Sequence, residues 1–141
     1  MRPWLRDKRT DHDRRANMRS WARRGHPRAE FQRAIERGNL LQAKALAKIV
    51  AANAGGKLSL GDALSLLFLM AAKQDERFER AALCWHARFE REVVTLTFEE
   101  SLLALSALAA LERVEKDDTA QQALAALCRR QGIIGPKLWQ V

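Results

Sequence analysis

Tyrosine is absent from this chain, and three prolines and seven glycines are all that punctuate its 141 residues. So few breakers, set against a large excess of Ala, Leu and Arg, favour helix over sheet. The one stretch with strand character, Glu92-Val93-Val94-Thr95-Leu96, is short and lies between two helical patterns. Cysteine is scarce: Cys84 and Cys128 lie far apart, both inside apolar helical patterns, as small core residues do. The basic N-terminus lacks the apolar core of a cleavable signal, and Asp7, Asp11 and Asp13 break up the arginines that a transit peptide would need. No apolar run reaches the roughly 20 residues of a membrane span. The expected setting is cytoplasmic, with no transmembrane segment.

The usual signs of catalysis are missing as well. Gly55-Gly56 is not a phosphate loop, because no strand precedes it and no Gly-Lys-Ser/Thr follows. Cys84 and His86, two apart on a helix, point about 200° away from each other and cannot share a metal. His12 and His26 have no thiol or carboxylate at ligand spacing. Ser101 and Ser106 sit in an apolar helix, where serine bonds its own backbone. The expectation is a chain with no enzymatic activity, no metal and no cofactor.

What remains is a globular composition, 48% apolar and 30% charged, in a length that suits one core. Helix signals follow one another along the chain. Asp11 or Asp13 opens a short helix that Gly25 stops, with only Met18, Trp21 and Ala22 on its apolar side. Pro27 opens the next, which runs to Arg37, where Gly38 closes it and Asn39 caps another from Leu40 to about Ala54. Ser59 with Asp62 caps a third, Leu60 to Ala72. A fourth runs from Glu76 to about Glu92, with Phe78, Ala82, Trp85 and Phe89 as its core stripe. Thr97 with Glu100 is a capping box for a fifth, ending at Leu111. Asp118 or Thr119 opens a sixth, which closes on Arg129-Arg130 and Gly132. The apolar tail from Ile133 to Val141 is expected to fold back on the body.

The predicted fold is all-α: about six helices as three antiparallel helical hairpins, in a compact bundle or a short α-solenoid, over residues 29–141, after a basic, mobile arm over residues 1–28. Two helices stand out as apolar nearly all round, Leu60–Ala72 and Thr97–Leu111. The second is expected to be the central buried helix, packed against the first, so that a charge at Leu105 unfolds the domain.

A weak repeat underlies this pattern. Ser59 and Thr97 cap similar helices 38 residues apart, and Ala81-Ala82-Leu83-Cys84 recurs 44 residues on as Ala125-Ala126-Leu127-Cys128. The run from Phe31 to Ala43 looks like a tetratricopeptide-type hairpin, but the Trp and Leu-Gly positions of that family are absent and its 34-residue period is not met. From Ala29 to about Arg130 the chain is similar to small uncharacterised all-helical proteins from GC-rich genomes. Gly38-Asn39-Leu40, Ser59-Leu60 with Ala63-Leu64, and Arg80-Ala81-Ala82 through Trp85 to Arg88-Phe89 carry that resemblance. It implies a helical fold and brings no activity.

Charge is unevenly placed. Residues 1–28 hold ten Lys/Arg and three Asp, whereas residues 29–141 hold fifteen Lys/Arg and fourteen Asp/Glu. Arg2, Arg6, Lys8, Arg9, Arg14, Arg15, Arg19, Arg23 and Arg24, interleaved with Trp4 and Trp21, are suited to RNA or DNA: guanidinium groups neutralise phosphates and tryptophan stacks on bases. An anionic membrane surface is a second reading and a merely solubilising tail a third. Met18 offers a later start, which would place residues 1–17 outside the native chain. On the fourth helix Arg77, Arg80, Arg88 and Arg91 share one side, either as a face for an acidic partner or as a solvated flank with Glu76–Arg80 and Arg88–Glu92 pairs. The expected function is a non-catalytic module that binds an unknown protein partner through an exposed helix face, with nucleic-acid association through the arm as the alternative. Homo-oligomerisation is left open.

Overall fold

Short turns decide the topology. Gly38 adopts φ 71°, a left-handed conformation that its missing side chain allows, and Asn39 N–H donates back to the Ala34 carbonyl at 3.0 Å. The Asn39 side chain at once accepts from Gln42 N–H at 3.2 Å, so one helix ends and the next begins within two residues. A turn that short leaves only an antiparallel pairing. The computed structural model describes residues 26–113 and 118–133, and its regular structure there is entirely helical. The helices are α1 (Pro27–Arg37), α2 (Leu40–Asn53), α3 (Leu60–Ala72), α4 (Phe78–Glu92), α5 (Phe98–Leu111) and α6 (Thr119–Arg130). They form three antiparallel hairpins, α1/α2, α3/α4 and α5/α6, packed in chain order. The expected helix of the arm and the tail beyond Ile133 lie outside the described residues. Of the Glu92–Leu96 stretch, Glu92 ends α4 and Val93–Leu96 forms the turn that follows.

Capping follows the residues. Ser59 accepts from Asp62 N–H at 3.2 Å to open α3. Thr97 and Glu100 form the full reciprocal box at the start of α5, with bonds of 3.1 and 3.2 Å. The start of α4 differs from expectation by two residues. Asp75 accepts from Arg77 N–H at 2.9 Å and also binds Lys44 of α2, which holds Glu76 and Arg77 in a turn.

Two apolar clusters share α3. The smaller joins Phe31 and Ala34 of α1 with Ala43, Leu46, Ala47 and Val50 of α2, and takes Leu69 from α3. The larger sets Leu60, Leu64, Leu67 and Met70 of α3 against Phe78, Trp85 and Phe89 of α4 and the inner sides of α5 and α6. Leu60 and Leu69, nine residues apart, lie on opposite faces at about 100° per residue. That position, between two layers, explains why α3 is apolar all round. Trp85 fixes the join: its indole N–H donates to the Leu60 carbonyl at 2.9 Å and its ring stacks on Phe89 at 4.9 Å.

The other apolar helix is placed differently, and here the expectation is overturned. Only Ala104, Ala107 and Leu108 of α5 are buried. It is an outer helix whose packing is mainly with its neighbours α4 and α6; α3 is the central one.

Candidate interaction surface

The inward residues of α5 are mostly small. Alanine at 104 and 107 lets the helix approach the body closely, while its bulky side chains point out. Phe98 is 77% exposed, Leu102 and Leu103 are each 48% exposed, and Leu105 is 38% exposed. At 100° per residue Phe98, Leu102, Leu105 and Ala109 fall within roughly 60° of one another, along a single stripe. Their 4-3-4 spacing is the spacing of a coiled-coil seam.

A groove flanks each side of this ridge. Toward α4 it has a volume of about 150 Å³, with buried Phe78, Ala82 and Leu108 as floor. Its walls are Leu83, Leu105 and Ala109, and Glu79 and Glu112 stand at the rim. Leu83 is itself 55% exposed, so the apolar surface continues from α5 onto α4. Toward α6 a groove of about 310 Å³ runs between Ser106, Ala110 and Arg113 on one side and Ala120 and Ala123 on the other. Apolar patches of this continuity are characteristic of places where another molecule binds.

Behind the ridge, α4 and α5 are clasped by His86. Its Nδ1 lies 3.1 Å from Glu90 Oε1, and its Nε2 lies 3.0 Å from the Ser101 carbonyl oxygen and 3.1 Å from the Ser101 hydroxyl. Residue types and order match a Ser-His-Glu relay, and no sequence signal announced it. The carbonyl gives Nε2 a second partner. A hydrogen on Nε2 is donated to that carbonyl, which only accepts, whereas a hydrogen on Nδ1 is donated to Glu90 and leaves Nε2 to accept from the serine hydroxyl. Neither Ser101 nor His86 lines either groove beside α5. The arrangement is a strut between helices.

At the opposite edge, where α1 and α3 begin and α6 ends, a cleft of about 580 Å³ is lined by Pro27, Val50, Leu60 and Ile133 around Asp62. Asp62 is buried, and its Oδ2 accepts from Arg28 Nε at 3.0 Å, an ion pair that ties α1 to α3. Its Oδ1 is buried with no partner. This pairing spans 34 residues and had no signature in sequence.

The arginines of α4 do not act alike. Arg88 is committed: Nε pairs with Glu92 at 2.9 Å and an Nη donates to the Leu58 carbonyl at 2.8 Å. That interaction holds Glu92 below the usual carboxylate range. Arg77, Arg80 and Arg91 are exposed, and no ion pair joins Glu76 to Arg80. Arg2, Arg6, Lys8, Arg9, Arg14, Arg15, Arg19, Trp21, Arg23 and Arg24 of the arm all lie outside the described residues.

Of the two thiols, Cys84 is exposed on α4 and Cys128 is buried on α6, where desolvation pushes its pKa up to about 12. Among the described residues no helix is long and apolar enough to cross a membrane, and no three His, Cys, Asp or Glu side chains gather closely enough to share an ion. No family model matches the chain, and neither a curated protein nor a solved structure shows significant similarity to it.

Proposed function

We propose that this chain is a non-catalytic, cytoplasmic protein-interaction module that binds through the exposed ridge of α5. The carrying observation is that Phe98, Leu102 and Leu105 stand in one solvent-facing stripe above a body whose core is already complete without them. Burying a large apolar side chain fully is worth about 1.5–3 kcal/mol, so covering the exposed parts of these three and of Leu83 supplies several kcal/mol to an association. The stripe is arranged to receive a helix, as helix-in-groove recognition requires. The test is Leu102→Glu: its circular dichroism and melting temperature stay close to those of the parent, while association is lost. Retained association with this charge in the stripe overturns the reading.

Nucleic-acid binding through the arm is a second reading, favoured by one observation, the concentration of ten Lys/Arg in residues 1–28. It requires an affinity for mixed RNA or DNA that falls steeply with salt, with a log–log slope that shrinks as Arg6, Arg9, Arg14 and Arg15 are replaced by Gln. A chain that shows no retention on nucleic acid at low salt ends it.

A further inference from the structure

We infer that the occupant of the α5 ridge is a second copy of this chain, paired antiparallel about a two-fold axis. The inference rests on the reading of α5 as an interaction surface and goes beyond it in naming the partner. Three features of the ridge are complementary to their own reversal.

The first is size. The stripe carries its largest side chain, Phe98, at one end and its smallest, Ala109, at the other, with Leu102 and Leu105 between them. Reversing the helix sets Phe98 against Ala109 in the two end layers, pairing bulk with space, and Leu102 against Leu105 in the two middle ones. A parallel pairing would stack Phe98 on Phe98 and leave Ala109 facing Ala109.

The second is the groove beside Ala109. Phe98 is 77% exposed, and the pocket of about 150 Å³ floored by Phe78, Ala82 and Leu108 lies at the other end of the same helix. The antiparallel pairing brings the Phe98 of each copy to the mouth of the other's pocket, beside Leu83. An isologous interface needs the knob and its hole on one surface, and both are here.

The third is charge. Glu99 and Ser106 lie on one flank of the ridge, and Arg113, just past the end of α5, lines the same side beside Ser106, so that the flank has acid at its start and base at its end. Glu99 shares a shallow depression with Arg130, yet neither Glu99 nor Arg113 makes an ion pair within the described residues. In the pairing above, Glu99 of one copy and Arg113 of the other lie about 7–8 Å apart along the axis, which these long side chains bridge. The small Ser106 sits between them, where the helices come closest. Parallel pairing would instead place the two Glu99–Arg113 flanks on opposite sides of the interface, out of reach of each other.

The experiment is sedimentation of the full chain, with a photo-crosslinking residue at position 98 read in parallel in the purified protein and in lysate. The expected result is a species of twice the 16.0 kDa chain mass and a self-crosslink into the Leu83 region. Glu99→Arg alone is expected to weaken the dimer by about tenfold, and Glu99→Arg with Arg113→Glu to restore it, since the reversed pair is again complementary. Both substitutions lie on the exposed surface, so helicity and melting temperature serve as the check on folding. A monomer whose position 98 crosslinks to a different protein overturns the second copy and leaves the α5 surface standing. A monomer with no crosslink overturns both. A dimer indifferent to the charge exchange, with no self-crosslink, overturns this geometry.

Discussion

The helices α3 and α5 are nearly the same kind of sequence and occupy opposite kinds of place. Leu60–Ala72 and Phe98–Leu111 are both rich in Leu and Ala, both open on a hydroxyl cap, and neither keeps a polar face along its length. One lies between the α1/α2 layer and α4, with leucines buried on opposite sides. The other is covered by α4 and α6 on its inner side alone, and its outer side is a row of exposed leucines and a phenylalanine. An apolar pattern all round is therefore compatible with burial on both sides, as in α3, and with burial on one side alone, as in α5. Hydropathy alone does not say which of the two places a helix takes.

Charges placed in the two helices should separate them most sharply. Leu64 of α3 is fully buried, and Leu64→Glu should abolish cooperative folding, because an unpaired buried charge costs several kcal/mol of a total near 5–15. Far-ultraviolet circular dichroism at 25 °C decides it, and a folded variant would mean that α3 is not central. Leu64→Ala should leave a folded chain weakened by roughly 2–5 kcal/mol in urea titration. At Leu105, whose side chain is part wall and part surface, Glu should cost about 1–3 kcal/mol without unfolding the chain. Global unfolding there would restore the central placement expected for α5. Leu102→Glu should change stability by no more than roughly 0.5–1 kcal/mol, the smallest mutational effect of the series.

Acid sharpens the comparison at the helix ends. Asp75, in the turn that leaves α3, is held below its ordinary value of 3.8 by the Lys44 ammonium and the Arg77 amide. Glu100, in the box that opens α5, is held below 4.5 by Gln131 and the Thr97 amide. Both carboxyls have a lower pKa folded than unfolded, so their contribution is complete above the ordinary values and is lost as pH falls through the lower ones. Melting temperature should therefore fall as pH drops from about 5 to 2, and Asp75→Asn should flatten that decline. An unchanged slope in the variant would remove Asp75 from the account.

Local chemistry was legible and long-range placement was not. Gly38-Asn39, Ser59 and the Thr97/Glu100 box each marked a helix boundary, because caps act over three or four residues. Phe78, Ala82, Trp85 and Phe89 marked the inner face of α4 through simple periodicity. The position of α5 was misjudged because an all-apolar pattern has no direction of its own. One cue was available: alanines recur at 104 and 107 while leucines stand at 102 and 105, which puts the small residues where a helix sits close against its support. The Arg28–Asp62 pair and the His86–Ser101 contact join elements 34 and 15 residues apart. Such pairings depend on which helices become neighbours, and no local pattern encodes that.

The two cysteines give the molecule a built-in handle for chemistry. At neutral pH the Cys128 thiol stays protonated in the core and resists alkylation, whereas Cys84 is exposed on α4, on the side that carries Arg80, Arg88 and Arg91. One equivalent of a maleimide fluorophore should therefore label the natural sequence at a single position. The dye would stand on the arginine side of α4, clear of the residues that line the two grooves beside α5, and so would mark the chain without blocking either groove.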